Sequence, residues 1–175
     1  TFTGSASTGL MLKSNPVIAR ENVMFNLEAD SLNATILGEK ATPDTAEFEL
    51  FIKETVKEIT VKAGQKCTAV RRIIVPENLI DEVQQAISAR LASVKIGDPA
   101  SEGVRMGALA THAQVDAVKE SVNQLSKSQE IIYGDLENFS VVGADKEKGA
   151  FFSPILFRND NPFTQTDVHT IEAFG

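Results

Sequence analysis

Three amphipathic stretches of helical period, separated by short apolar runs of strand type, constrain this fold more than any other feature. Phe48, Phe51, Ile52, Val56 and Ile59 recur at the helical spacing in the first stretch. Thr42 is its expected N-cap, with Pro43 in the first turn. Ile80, Val83, Ile87, Leu91 and Val94 mark a second helix. Val115, Val118, Val122 and Leu125 mark a third, opened by a Thr111/Gln114 capping box. Strand-like runs lie between and around them, at Asn33 to Leu37, Arg71 to Val75, Ile131 to Tyr133 and Phe151 to Phe157. Upstream, Thr1 to Thr3 reads as the end of a strand and Ala6 to Lys13 as a helix stopped by Asn15-Pro16. Asn22 to Glu28 alternates as a further strand. Strands separated by helices of this length predict an α/β fold with right-handed crossovers and a largely parallel sheet flanked by helices. Both ends read as cut, through a strand at Thr1 and just after an apolar Phe174.

Composition narrows the function. The formal charge is −7 at pH 7, which disfavours nucleic acid and anionic membrane, because both would repel an acidic chain. No apolar run approaches the ~20 residues that span a bilayer, and no leader is visible. A cytoplasmic location is the default expectation. One cysteine excludes an internal disulfide and CxxC-type metal clusters. His112 and His169, with scattered acids, do not make a metal site.

Few groups remain that carry chemistry. FTGSASTG, residues 2–9, places free backbone N–H groups and the positive end of a helix dipole at one strand-to-helix turn, a ready anion site. It lacks the GxGxxG fingerprint, and a Gly-Ser turn is common in any fold. Glu28 ends a strand, where α/β proteins place ligands, and partial burial there would raise its pKa toward general-base use. A solvated acid at a strand end is the more frequent case. Cys67, in AGQKCTAVRR, follows a helix end marked by Gly64. A single cysteine more often packs than reacts. Lys66, Arg71 and Arg72 are close enough in sequence to favour its thiolate. Glu172, in TIEAFG, carries no signal alone.

Taken in order, FTGS, a glutamate at a strand end, GQ-x-C followed by an arginine, IGDP and E-x-FG resemble the aldehyde dehydrogenase superfamily along the whole chain. The resemblance implies residues 1–27 as the end of an NAD(P)-binding domain and residues 28–175 as a catalytic domain incomplete at its C-terminus. It implies Cys67 as nucleophile and Glu28 as general base. Thr3, Gly4, Ser5 and Ala29 would lie beside the nicotinamide and pyrophosphate. Glu172 would hold the nicotinamide ribose, with Phe174 packed beside it. Of the family's oxyanion donors, a backbone N–H at the nucleophile is present and an asparagine is expected upstream of Thr1. The family's usual Leu-Gly-Gly-Lys after the base is here Ala29-Asp30-Ser31-Leu32, which puts side chains where glycines allow close cofactor approach.

LEADSLN, KAGQKCTA-x-RRIIVP, IGDPA-x-EG and H-x-x-EAFG are further similar to the dehydrogenase part of the bifunctional ring-opening family of bacterial phenylacetate degradation. That likeness implies a CoA-linked semialdehyde as the small-molecule substrate, NADP or NAD as cofactor, no metal, and a homo-oligomeric parent. A general aldehyde dehydrogenase of other substrate range is the alternative. So is a non-catalytic folding unit when the segment stands alone. Acyl transfer to CoA instead of water is disfavoured, because relatives of that type lack the glutamate found here at Glu28.

Overall fold

The computed structural model describes residues 1–175, and the chain forms two compact units, Thr1–Ser31 and Leu32–Gly175. In the first, β1 (Phe2–Gly4) leads through Ser5 into α1 (Ala6–Lys13), then α2 (Pro16–Arg20) and β2 (Leu27–Ala29). Pro16 ends nothing by itself. The chain turns at Ser14, and Asn15 caps a new short helix with Pro16 at its first position, its side chain accepting from the Val17 N–H at 3.0 Å. The strand expected from Asn22 is shorter than its alternation suggests. Asn22 adopts φ 50° and Val23 donates to the Ile18 carbonyl, so residues 22–26 unwind a helix end instead of extending. Met24 is left 95% exposed. β1 and β2 then pair in parallel, with Thr3 opposite Glu28 and Gly4 opposite Ala29.

The second unit begins with β3 (Asn33–Ile36) and α3 (Ala46–Thr60). Thr45, not Thr42, caps α3, accepting from the Phe48 N–H at 3.3 Å. Thr42 serves the turn before it, where its carbonyl accepts from the Thr45 hydroxyl at 2.7 Å. After a short turn come β4 (Val70–Ile74), α4 (Ile80–Ala92), β5 (Lys95–Gly97), β6 (Val104–Met106), α5 (His112–Leu125), β7 (Glu130–Tyr133), β8 (Val141–Val142) and β9 (Leu156–Arg158). The pairs β3–β4, β5–β6 and β5–β8 are parallel; α3 lies between β3 and β4 and α5 between β5 and β8, whereas only the helix-free loop 98–103 joins β5 to β6. β7–β9 is antiparallel, and β9 starts only at Leu156, beyond Pro154, which has no N–H to give a ladder.

Two apolar clusters hold this unit. One joins Phe48, Ile52 and Val56 of α3 to Val83, Ile87 and Leu91 of α4. Ile87 and Leu91 are each 1% exposed, and burying such a side chain contributes about 1.5–3 kcal/mol. The other gathers Ile96, Met106, Val118, Val122 and Phe152 around Ala63. Ala63 belongs to the turn that precedes Cys67, so this cluster anchors the segment that carries the thiol. No helix is long and apolar enough to cross a membrane.

Candidate active site

The segment between α3 and β4 is built from a rare backbone. Lys62 and Ala63 both adopt left-handed dihedrals (φ 55°, ψ 28° and φ 50°, ψ 42°), and Gly64 follows at φ 71°. A non-glycine residue in that region costs about 1–2 kcal/mol. The cost is offset locally, because Ala63 is fully buried in the second cluster. Gln65 ties the turn at both ends of its amide: Nε2 donates to the Lys62 carbonyl at 3.0 Å, and Oε1 accepts from the Ala110 N–H at 2.9 Å. Glycine at 64 meets two demands, its φ and the close approach of Gly175, whose carbonyl carbon would lie 3.0 Å from a Cβ there.

Cys67 then occupies the tip of a tight turn closed by the Ala69 N–H donating to the Lys66 carbonyl at 3.1 Å. Its side chain is exposed. The turn is clamped from β3 by Asn33, whose Nδ2 donates to the Cys67 carbonyl at 2.7 Å and to the Ala69 carbonyl at 3.1 Å. Side-chain directions of the neighbouring cations are also settled. Lys66 pairs with Glu58 of α3 at 2.7 Å. Arg71 donates to the Gly64 carbonyl. Arg72 donates to the Leu32 carbonyl and to Nδ1 of His169. An arginine only donates, so His169 Nδ1 must accept, leaving its Nε2–H for the Pro162 carbonyl at 3.1 Å.

The segment 171–175 runs along α5. Ser121 donates to the Glu172 carbonyl at 3.2 Å, and Gln114 Nε2 donates to the Phe174 carbonyl at 2.6 Å. These residues lie i and i+7 on α5, one face of the helix. Gln114 therefore completes only half of the expected capping box. Thr111 accepts from the Gln114 N–H, while the Gln114 side chain serves Phe174. Glu172 is half-buried, and its charge favours the guanidinium form of Arg71.

In the first unit, Thr3, Gly4, Ser5 and Glu28 are exposed and Ala29 half-buried. Glu28 Oε1 accepts from Asn26 Nδ2 at 3.4 Å. Ser5 caps α1 and forms a hydroxyl cluster with Ser7 and Thr8, at 3.2 and 2.9 Å. The first helical N–H, that of Ala6, is already held by Asp30 Oδ1 at 3.0 Å. Asp30 sits at φ 49°, a left-handed position that aspartate tolerates better than most residues. Asp30 is a fixed negative charge beside that open turn. The parts of the site thus assemble within each unit: Thr3 with Glu28 and Gly4 with Ala29 in one, and the Cys67 turn with residues 172–175, through Gly64, in the other. Asn33, Asp30 and Gln65 were not singled out for these contacts by sequence. The only signal was Asp30 and its neighbours standing where glycines were expected.

Cys67 thus stands at the exposed tip of a braced turn within an α/β scaffold. The chain belongs to the aldehyde dehydrogenase family, which it matches over residues 1–175. It is 43% identical over 174 residues to the 3,4-dehydroadipyl-CoA semialdehyde dehydrogenase of Aromatoleum evansii, covering 99% of this chain and 34% of that protein. It is 26% identical over 175 residues to a 3-succinoylsemialdehyde-pyridine dehydrogenase of a Pseudomonas species, again covering 34% of the relative. Among solved structures, betaine aldehyde dehydrogenase from Staphylococcus aureus in complex with NAD+ superposes with a TM-score of 0.82 at 26% identity, over 99% of this chain and 32% of that one. The chain therefore spans about a third of the length of these relatives.

Proposed function

We propose that this chain is the thiol-bearing segment of a longer, cytoplasmic NAD(P)-dependent aldehyde dehydrogenase that oxidises a CoA-linked semialdehyde to the carboxylic acid. The observation that carries the reading is Cys67 at the exposed tip of a turn whose backbone is clamped by Asn33 and braced by the buried Ala63. In this reading the Cys67 sulfur bonds to the aldehyde carbon. When bound, the nicotinamide cofactor supplies the hydride acceptor that takes the substrate to the acyl oxidation level. The acyl group is left on Cys67 as a thioester. Glu28 takes a proton from water, the water oxygen bonds to the thioester carbon, and the C–S bond breaks to release acid and return the thiolate. The CoA-linked substrate class is supported by the relative from Aromatoleum evansii.

The test is to supply the full-length protein with NADP or NAD and two substrates, a CoA-linked semialdehyde and its CoA-free counterpart, following reduced nicotinamide and identifying the acid. The CoA-linked substrate should show kcat/KM higher by about 10²-fold, because remote binding energy is used at the reacting centre. Failure to form reduced nicotinamide with either substrate would end the dehydrogenase reading. Equal use of both would leave a general aldehyde dehydrogenase.

Asp30 yields a separate expectation. Asparagine there keeps the left-handed backbone and an oxygen for the Ala6 N–H, so only the charge changes. Losing a carboxylate at a helix start costs about 0.3–1 kcal/mol of stability. It also removes repulsion toward a phosphate, on the order of 1 kcal/mol at the protein surface. Asp30→Asn in the full-length protein should therefore bind NADP about fivefold tighter by calorimetric titration, with a slightly lower Tm. Unchanged or weaker binding would place Asp30 away from the cofactor.

A further inference from the structure

Arg71 stands on β4, four residues after Cys67, and takes no part in the chemistry above. Its half-buried guanidinium meets two segments far apart in sequence. Nη2 donates to the Gly64 carbonyl at 2.7 Å, and a Cβ at Gly64 would lie 3.1 Å from Nη1. On the other side the guanidinium carbon lies 5.8 Å from the centroid of the Phe174 ring, within cation–π range. Burial pushes the Arg71 pKa down, and the charge of Glu172 opposes that push. Nε is buried and makes no hydrogen bond.

A purely structural residue fits this position poorly. A buried N–H without an acceptor is costly, and an apolar side chain would fill the same space without it. What an apolar residue cannot do is present a rigid planar fork to a carbonyl and a ring face at once. The two groups Arg71 addresses are Gly64, at the base of the Cys67 turn, and Phe174, two residues beyond Glu172, the acid assigned to the nicotinamide ribose. We propose that Arg71 is a positioning residue that holds the segment 172–175, and with it Glu172, in register with the Cys67 turn through Gly64 and Phe174, and so sets the affinity for the ribose of the nicotinamide cofactor. The proposal rests on the dehydrogenase reading of the site. Arg71 touches neither substrate nor cofactor in it.

The test uses the full-length protein and a double-mutant cycle of Arg71→Met and Glu172→Gln, with dissociation constants for NADP and NAD measured by titration without aldehyde. Arg71→Met should weaken binding of the preferred cofactor about tenfold while the aldehyde KM stays within about twofold. With glutamine already at 172, the same change should have little further effect, because the carboxylate carried by the positioned segment is gone. Arg71→Lys should recover only a small part, since an ammonium keeps the charge and loses the fork. Unchanged cofactor affinity in Arg71→Met, or losses that simply add in the double variant, would overturn the proposal. If the methionine variant does not fold, the lysine variant carries the same cycle. Cys67→Ala separates the two levels. Activity surviving that change removes the thiol mechanism of the proposed function, whereas additivity at Arg71 and Glu172 with an inactive Cys67→Ala removes only the role of Arg71.

Discussion

Cys67→Ala in the full-length protein is expected to lower kcat for aldehyde oxidation by more than about 10⁴-fold, with little change in stability. The size follows from chemistry. Attack on the aldehyde carbon needs a strong nucleophile near neutral pH, as sulfur is, and no other cysteine exists in the segment to replace this one. Serine should be nearly as inactive as alanine, since its hydroxyl is a far weaker nucleophile at that pH. The small effect on stability follows from structure. Cys67 is exposed, and both clamps from Asn33 go to backbone carbonyls that any residue supplies. Substitutions at such positions usually lie within about ±0.5 kcal/mol. Thermal melting and kcat measured on the same preparation check both halves. Near-parental activity in either variant would remove Cys67 from the mechanism. A collapse in Tm would instead mark it as a structural residue.

The second large effect is at Glu28. Glu28→Gln should lower steady-state turnover by about 10²–10⁴-fold, the usual contribution of a positioned general base. The loss should fall on thioester hydrolysis and spare thioester formation. Rapid mixing should therefore show a burst of reduced nicotinamide close to one equivalent per site, then a slow steady phase. Glutamine preserves the shape of the side chain, and Glu28 joins β2 to β1 through its backbone, so the pairing with Thr3 should survive. Mass spectrometry of the quenched burst should find the acyl group on the peptide containing Cys67. Steady turnover at the parental rate would exclude the base role. A variant with neither burst nor turnover would shift Glu28 to a step before the thioester.

Much of this was legible in order of residues alone. The faces of α3, α4 and α5 follow from apolar spacing, because helix hydrogen bonds and helix faces are local. The α/β class follows from helices alternating with strands. The sequence of short motifs, from FTGS to EAFG, pointed to the family that the whole chain then matched. Local reading failed where local signal is thin or ambiguous. β5, β6 and β8 are two or three residues each, too short to show alternation. Thr42 and Thr45 are equally good caps by residue type, and only the folded turn assigns one to the helix. The antiparallel return of β9 onto β7 depends on how the chain travels between them.

The site divides in the same way. The residues proposed to carry chemistry were chosen from sequence: one thiol, one strand-end acid, and one acid two residues before a phenylalanine. Their supports could not be. Asn33 reaches the carbonyl of Cys67 across 34 residues, and Arg72 reaches His169 across 97. Neither contact leaves a trace in spacing, because β-sheet pairing and helix packing choose the partners, not the intervening chain. The left-handed turn at Lys62 and Ala63 is the clearest case. Neither residue favours that conformation, so no propensity announces it. Burial of Ala63 in the second apolar cluster offsets a local cost that the isolated peptide could not sustain, and that burial exists only once the tertiary fold has formed.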